Sequence, residues 1–279
     1  MKILNYDNTE YDIIVVAGQS NAFGNGLGGT DNPWKEREDV LMLKNDFVTC
    51  HKRPTEDTVY IDINAQEDGY IEVAKERYDQ RLDQTIGNFS LTFAKMYADK
   101  YLKDGRKALI VFTPVGGTGF VGKHWGQEDK LYLRMRDMVD SALKLNKNNK
   151  IVAYLWHQGE HDGYENRNLS YEGSRDFYDE KFTEFFNSIR EIYGQNVPFI
   201  CGGFTNDTIE EYRITTEAVI DVLKKKMEEN KLTKYIDTSD LKSNKALGYK
   251  DPYHFCKRSL EVLGERYFNA FDQMIKEKQ

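Results

Sequence analysis

Ser20 ends a short apolar run, Ile13-Ile14-Val15-Val16-Ala17-Gly18-Gln19-Ser20-Asn21. A buried strand delivers a nucleophile in this way, with a glycine just before the hydroxyl so that the backbone can turn sharply. The pattern is close to a nucleophile elbow, with Ala22 in place of the second small glycine. A serine hydroxyl attacks only when a base takes its proton, and a serine at a strand end can equally cap the helix that follows. Asp251-Pro252-Tyr253-His254 supplies the missing partners within one turn of chain. Asp251 would accept the Nδ1 proton of His254 and stabilise the imidazolium, leaving Nε2 to serve Ser20. Two more apolar runs end in polar residues and glycine. Ile151-Val152-Ala153-Tyr154 leads into Leu155-Trp156-His157-Gln158-Gly159-Glu160-His161-Asp162, and Ala108 to Phe112 leads into Thr113-Pro114-Val115-Gly116-Gly117-Thr118-Gly119. Polar groups are costly to bury unpaired, so this concentration at strand ends marks a site.

Gly-Gln-Ser-Asn, Gly-Gly-Thr, His-Gln-Gly-Glu and Asp-x-x-His, in this order over about residues 12 to 270, resemble the SGNH hydrolase superfamily. Within it they are similar to the sialate O-acetylesterase and carbohydrate esterase family 6 group. Val40-Leu41-Met42-Leu43, Phe93-Ala94 and Leu263-Gly264 also look like family positions. The resemblance implies a three-layer α/β/α sandwich with a central parallel sheet, of flavodoxin-like SGNH hydrolase fold. It implies a serine esterase that removes O-acetyl groups from a carbohydrate through a covalent acyl-serine intermediate. Ser20 would be the nucleophile, His254 the base and then acid, and Asp251 its orienter, with Glu160 as the rival orienter. The backbone amides of Ser20 and of Gly116 or Gly117, with the side-chain amide of Gln158, would form the oxyanion hole. A glycine lets a backbone N–H approach the oxyanion closely, and one such donor contributes about 3 kcal/mol to the transition state. No metal or organic cofactor is implied, and the partner is a small-molecule or glycan ester.

Competing chemistries lie in the same residues. His157-Gln158-Gly159-Glu160-His161 fits the His-x-x-Glu-His signature of zinc peptidases, in which His157 and His161 would share a helix face. The motif leaves an apolar strand directly and carries a glycine at its centre, which argues against that helix. A lipase or thioesterase of the same superfamily would use the same serine, and a noncatalytic glycan-binding module could share the fold. Gly24-Asn25-Gly26-Leu27-Gly28-Gly29 satisfies Gly-x-Gly-x-x-Gly but runs into Thr30-Asp31-Asn32-Pro33 without opening a helix, so it reads as a rim of the site. Cys50, Cys201 and Cys256 lack metal-ligand spacing and are odd in number, which argues against a disulfide framework. The stretch from His51 to Gln84, with Glu56, Asp57, Asp62, Glu67, Asp68, Glu72, Glu76 and Asp79, lacks the tryptophan-containing segment of the family. It is expected to be a solvated insertion in preference to a wall of the substrate groove.

These residues need a scaffold of alternating elements. Strands are predicted at 12–17, 107–113, 150–156 and 197–203, and helices at 89–104, 129–146, 171–193, 207–230 and 256–277. Phe177, Phe182, Phe185, Phe186 and Ile189 recur at helical spacing as core packing. Leu260, Leu263, Tyr267, Phe268 and Phe271 form an apolar face on the last helix, which would anchor the His254 loop. At 279 residues, 39% hydrophobic and 30% charged, the chain fits a single domain over 1–279 with acidic and lysine-rich helices outside. A net charge of −7 speaks against nucleic acid or an anionic membrane as partner and leaves the oligomeric state open. The first ten residues show no signal sequence, so the chain as given is expected to be cytoplasmic; a removed signal, or a phage-particle location, stays open.

Overall fold

An apolar run with no alternating polar face belongs where both faces of a sheet are covered, and the run ending at Gly18 occupies such a place. The computed structural model describes residues 1–6, 8–45, 51–53, 56–60 and 68–278. Its strands are β1 (Ile3–Leu4), β2 (Glu10–Gly18), β3 (Val40–Lys44), β4 (His51–Arg53), β5 (Glu56–Tyr60), β6 (Gly69–Val73), β7 (Arg77–Asp79), β8 (Gln84–Ile86), β9 (Arg106–Phe112), β10 (Lys150–His157), β11 (Phe199–Gly202) and β12 (Thr233–Ile236). The helices are α1 (Ser20–Phe23), α2 (Phe89–Tyr101), α3 (Lys130–Leu145), α4 (Glu160–Glu165), α5 (Tyr171–Tyr193), α6 (Asn206–Glu211), α7 (Arg213–Glu229) and α8 (Lys257–Lys278).

Eight strands form one sheet in the order β1-β6-β3-β9-β2-β10-β11-β12, and β4-β5 and β7-β8 are separate two-stranded ribbons. The large sheet is parallel except where β6 runs antiparallel to β3, with Leu43 opposite Ile71. Alternate residues of β2 divide the core. Ile14 and Val16 face the layer built by Phe89 and Phe93 of α2 and Leu260, Leu263 and Phe271 of α8. Ile13 and Val15 face the layer holding Met135 of α3, Phe182 and Phe185 of α5 and Leu223 of α7. The architecture is therefore the expected α/β/α sandwich around a largely parallel sheet.

From β2 the chain crosses to β3 on one side, whereas from β10 it continues to β11 on the other. Adjacent strands whose connections diverge leave a crevice at their carboxyl ends, here between β2 and β10.

The elements depart from expectation where tertiary contacts intervene. The helix expected over 207–230 breaks at Tyr212, whose φ of −123° and ψ of 41° are not helical. Thr216 donates its hydroxyl to Tyr212 O at 2.9 Å, and Thr215 donates to Gly163 O at 2.7 Å, so the second segment is pinned to α4. Part of the acidic stretch also differs from a solvated insertion. Gly69–Val73 is a strand of the main sheet with Ile71 buried, Glu72 pairs with Lys44 at 2.8 Å, and Glu76 pairs with the buried Lys257 at 2.6 Å. Cys50, Asp62, Glu67 and the side chains of Glu56 and Asp57 lie outside the described residues. Among the described residues, no helix is long and apolar enough to cross a membrane.

Candidate functional site

Gly18 closes β2 with φ of +128°, and a Cβ built there would stand 2.0 Å from the carbonyl oxygen of His157. Only glycine fits so close to β10 with that backbone. The chain turns at once: Gln19 N donates to His157 O at 3.0 Å, and Ser20 becomes the first residue of α1, 8% exposed. The β9 end supplies the facing turn. Val115 N donates to Gly18 O at 3.0 Å, which brings Gly116 so near that a Cβ on it would lie 3.7 Å from Ser20 Cβ. Among the described residues, the backbone N–H groups of Ser20, Gly116 and Gly117 donate to no acceptor. Three unengaged donors thus lie on the two turns that meet at Ser20 and Gly116.

His254 Nδ1 lies 2.9 Å from Asp251 Oδ2. Asp251 Oδ1 also accepts from the backbone N–H groups of Tyr253 and His254, and Oδ2 accepts from Asn244 Nδ2 at 2.8 Å. Burial pushes the Asp251 carboxyl up, but the hydrogen bond and charge of His254 and the Asn244 amide outweigh it, so the group lies below its ordinary value. Asn244 is itself tied to the glycine-rich rim, donating to Asn25 O and accepting from Leu27 N. His254 and Ser20 come from opposite ends of the chain, and Asn21 joins them. Its Nδ2 donates to Tyr253 O at 3.1 Å and its Oδ1 accepts from Phe255 N at 3.0 Å, so the residue after Ser20 grips the backbone on both sides of His254. Ser20 Oγ itself makes no hydrogen bond to His254, whose ring is paired with Asp251.

Glu160 does not hydrogen-bond His254. Its Oε1 accepts from Asn21 Nδ2 at 2.7 Å, and burial pushes its carboxyl up to about 7. The side-chain amide of Gln158, expected at the oxyanion hole, is hydrogen-bonded to neighbouring groups. Its Nε2 donates to Asp162 Oδ2 at 2.5 Å and to Thr118 O and Gln19 Oε1 at 3.3 Å, and its Oε1 accepts from Tyr178 at 3.1 Å. A buried carboxylate is a stronger acceptor than any neutral group nearby, so the amide turns towards Asp162. Asp162 in turn accepts from Phe120 N and Val121 N, which fixes the turn carrying Gly116 and Gly117. Burial pushes its carboxyl up to about 6.

The zinc arrangement does not form. His157 closes β10 and His161 lies in α4, with Gly159 at φ of +137° between them, so they share no helix face. His157 is fully buried, its Nδ1 3.1 Å from the Tyr267 hydroxyl, and burial pushes its pKa down to about 3. His161 sits beside His124, ring centroids 6.4 Å apart. Among the described residues no group of three His, Cys, Asp or Glu side chains is placed to hold a metal ion. Cys256 is buried against Ser259 and Cys201 is buried in the core.

Residue types and spacing pointed to Ser20, His254 and Asp251 but not to Asn21, Asn244 or Asp162. Asn21 had a visible signal, an amide directly after the candidate nucleophile. Asn244 had none, because it acts through contacts with the distant Asn25 and Leu27, and Asp162 stood only as the last residue of the polar run after β10.

Residues 10–273 match the family model described as carbohydrate esterase, sialic acid-specific acetylesterase. Among solved structures the chain is similar to NanS, with 18% identity, a TM-score of 0.70, and 96% of this chain and 98% of that one covered. It is similar to a protein from Arabidopsis thaliana at 17% identity and a TM-score of 0.65, covering 95% and 98%. It is also similar to XAC1771, a carbohydrate acetylesterase from Xanthomonas citri, at 14% identity and a TM-score of 0.54, covering 94% of this chain and 56% of that one. At these identities the likeness is one of fold. No curated protein matches the chain in sequence.

Proposed function

Because the chain belongs to the sialic acid-specific acetylesterase family of carbohydrate esterases, we propose that it cleaves O-acetyl esters of a carbohydrate through an acyl-serine intermediate. Ser20 Oγ attacks the ester carbonyl carbon while His254 Nε2 takes its proton. The developing oxyanion is met by the N–H groups of Ser20 and of Gly116 or Gly117. Collapse expels the sugar oxygen, which takes the proton from His254 and leaves as the free hydroxyl. Water, deprotonated by the same imidazole, then attacks the acetyl-serine and releases acetate. Asp251 holds the Nδ1 proton throughout and stabilises the imidazolium. Asp251 takes this role in preference to Glu160, because Asp251 is the carboxylate hydrogen-bonded to His254 Nδ1.

The observation that carries this reading is the 2.9 Å contact between Asp251 and His254, on a loop that Asn21 binds to the residue beside Ser20. The test is hydrolysis of 4-nitrophenyl acetate and butyrate by the wild type and Ser20→Ala, with and without EDTA. Acetate-selective, chelator-resistant turnover that vanishes in the variant is expected, together with stoichiometric labelling of Ser20 by a fluorophosphonate. Near-normal activity in Ser20→Ala would sink the mechanism. Activity lost only in EDTA would return the question to metal chemistry.

A further inference from the structure

Three tyrosines from separate segments form a row that begins one residue from His254. Tyr253 precedes the histidine, Tyr212 stands at the break between α6 and α7, and Tyr164 lies on α4. Tyr253 and Tyr212 are nearly parallel, at 18° with ring centroids 6.4 Å apart. Tyr212 meets Tyr164 edge-on, at 82° and 5.3 Å. Tyr164 and Tyr253 each remain 39% exposed, so the row is not core packing. Contiguous aromatic surface left in water points to a binding surface.

The rings are also held in place. Tyr212 and Tyr253 both donate their hydroxyls to Glu211 Oε1, at 2.5 and 3.0 Å, and the Arg167 guanidinium lies 4.5 Å from the centre of the Tyr164 ring. A surface fixed in this way loses little conformational freedom when a ligand docks on it.

We propose that this row is the sugar-docking subsite, on which a pyranose ring lies while its acetylated hydroxyl reaches Ser20. This rests on the esterase reading above. The C–H face of a pyranose is apolar and faintly positive, which suits the negative face of an aromatic ring. Glu211 supplies an acceptor for ring hydroxyls at the edge of the same surface. An acyl chain would prefer a pocket free of such polar groups, so the row favours a sugar over a lipid. The continuity of the row with His254 places the sugar on the leaving-group side of the ester.

The test compares kcat/KM for 4-nitrophenyl acetate with that for an O-acetylated methyl glycoside, in the wild type, Tyr164→Ala, Tyr212→Ala and Tyr212→Phe. The sugar ester should lose about tenfold more than 4-nitrophenyl acetate in each alanine variant, through KM, as expected for the loss of one stacked ring. Tyr212→Phe, which keeps the ring, should retain most of the selectivity. Equal losses on both substrates, or no selective loss, would overturn the subsite while leaving the esterase reading intact. Ser20-independent turnover of 4-nitrophenyl acetate would remove that reading and the subsite with it. Should Tyr212→Ala fail to fold, saturation-transfer NMR with the same glycoside on Ser20→Ala and on Ser20→Ala/Tyr164→Ala decides by binding alone. Reduced transfer to the sugar in the second protein supports the subsite, and undiminished transfer overturns it.

Discussion

Asp251 can orient His254 only while it is ionised, and the ring, the Asn244 amide and two backbone N–H groups keep it so. Asp251→Asn should therefore lower kcat by about 10³ to 10⁴-fold, because an amide at this position selects the wrong imidazole tautomer. Glu160→Gln should cost less than about tenfold, since Glu160 bonds Asn21 and not the ring. Steady-state kinetics on the two variants separates the rival orienters, and a larger loss in Glu160→Gln would reverse the assignment. Ser20→Ala and His254→Ala should each abolish turnover with little further loss when combined, because the members of a triad act as a unit. Glu160 makes a different prediction. Burial raises its carboxyl from the ordinary 4.5 to about 7, so between those values the folded chain holds a proton that the unfolded chain has released. Stability should then fall by about 3 kcal/mol as pH rises from about 4.5 to about 7, and level off above. Glu160→Gln keeps an acceptor for Asn21 and removes the titration, so thermal unfolding across this range should lose most of its slope. Asp162, pushed up to about 6, leaves a residual decline at the acid end. A variant as pH-sensitive as the wild type would show that the slope arises elsewhere.

The elements put these residues in reach of one another through a few close contacts. Gly18→Ala would force a Cβ against the carbonyl of His157 and strain a backbone at φ of +128°. Destabilisation of about 3 kcal/mol or more is expected in urea unfolding, with loss of activity. A smaller effect would mean that β2 and β10 can separate at their ends. Lys257 opens α8 three residues after His254, and its ammonium is buried against Glu76 and Thr85. Lys257→Met leaves Glu76 without its partner and should cost about 3 kcal/mol, read in the same way. The element pattern was largely legible in the chain. The helix read at 171–193 is Tyr171–Tyr193, and the strand read at 150–156 is Lys150–His157. These segments carry strong periodicity or long apolar runs. The break at Tyr212 was not legible, because the second segment is held by the bond of Thr215 to Gly163 O on α4, a group far away in the chain. Short strands such as β6 and β12 were missed for a related reason: they are strands by virtue of their neighbours in the sheet.

At the scale of the whole molecule, one sheet carries both core layers, and residues of β2 alternate between them. Neither layer can unfold without stripping the sheet of half its apolar cover, so a single calorimetric transition is expected for 1–279; two resolved transitions would show separable units. The sequence by itself determined which reactive groups stand at which element ends: a serine after a strand, a histidine with its carboxylate one turn away, and glycines able to present backbone N–H groups. Those are properties of residue type and local spacing, and local spacing is written in the chain. Only the tertiary structure decided which polar atoms were free. In the folded chain the Gln158 amide donates to Asp162 and Glu160 Oε1 accepts from Asn21, partners that local spacing does not name. Hydrogen bonding in a buried site is a competition among groups brought together by distant segments, and the winner depends on which of them fold within reach.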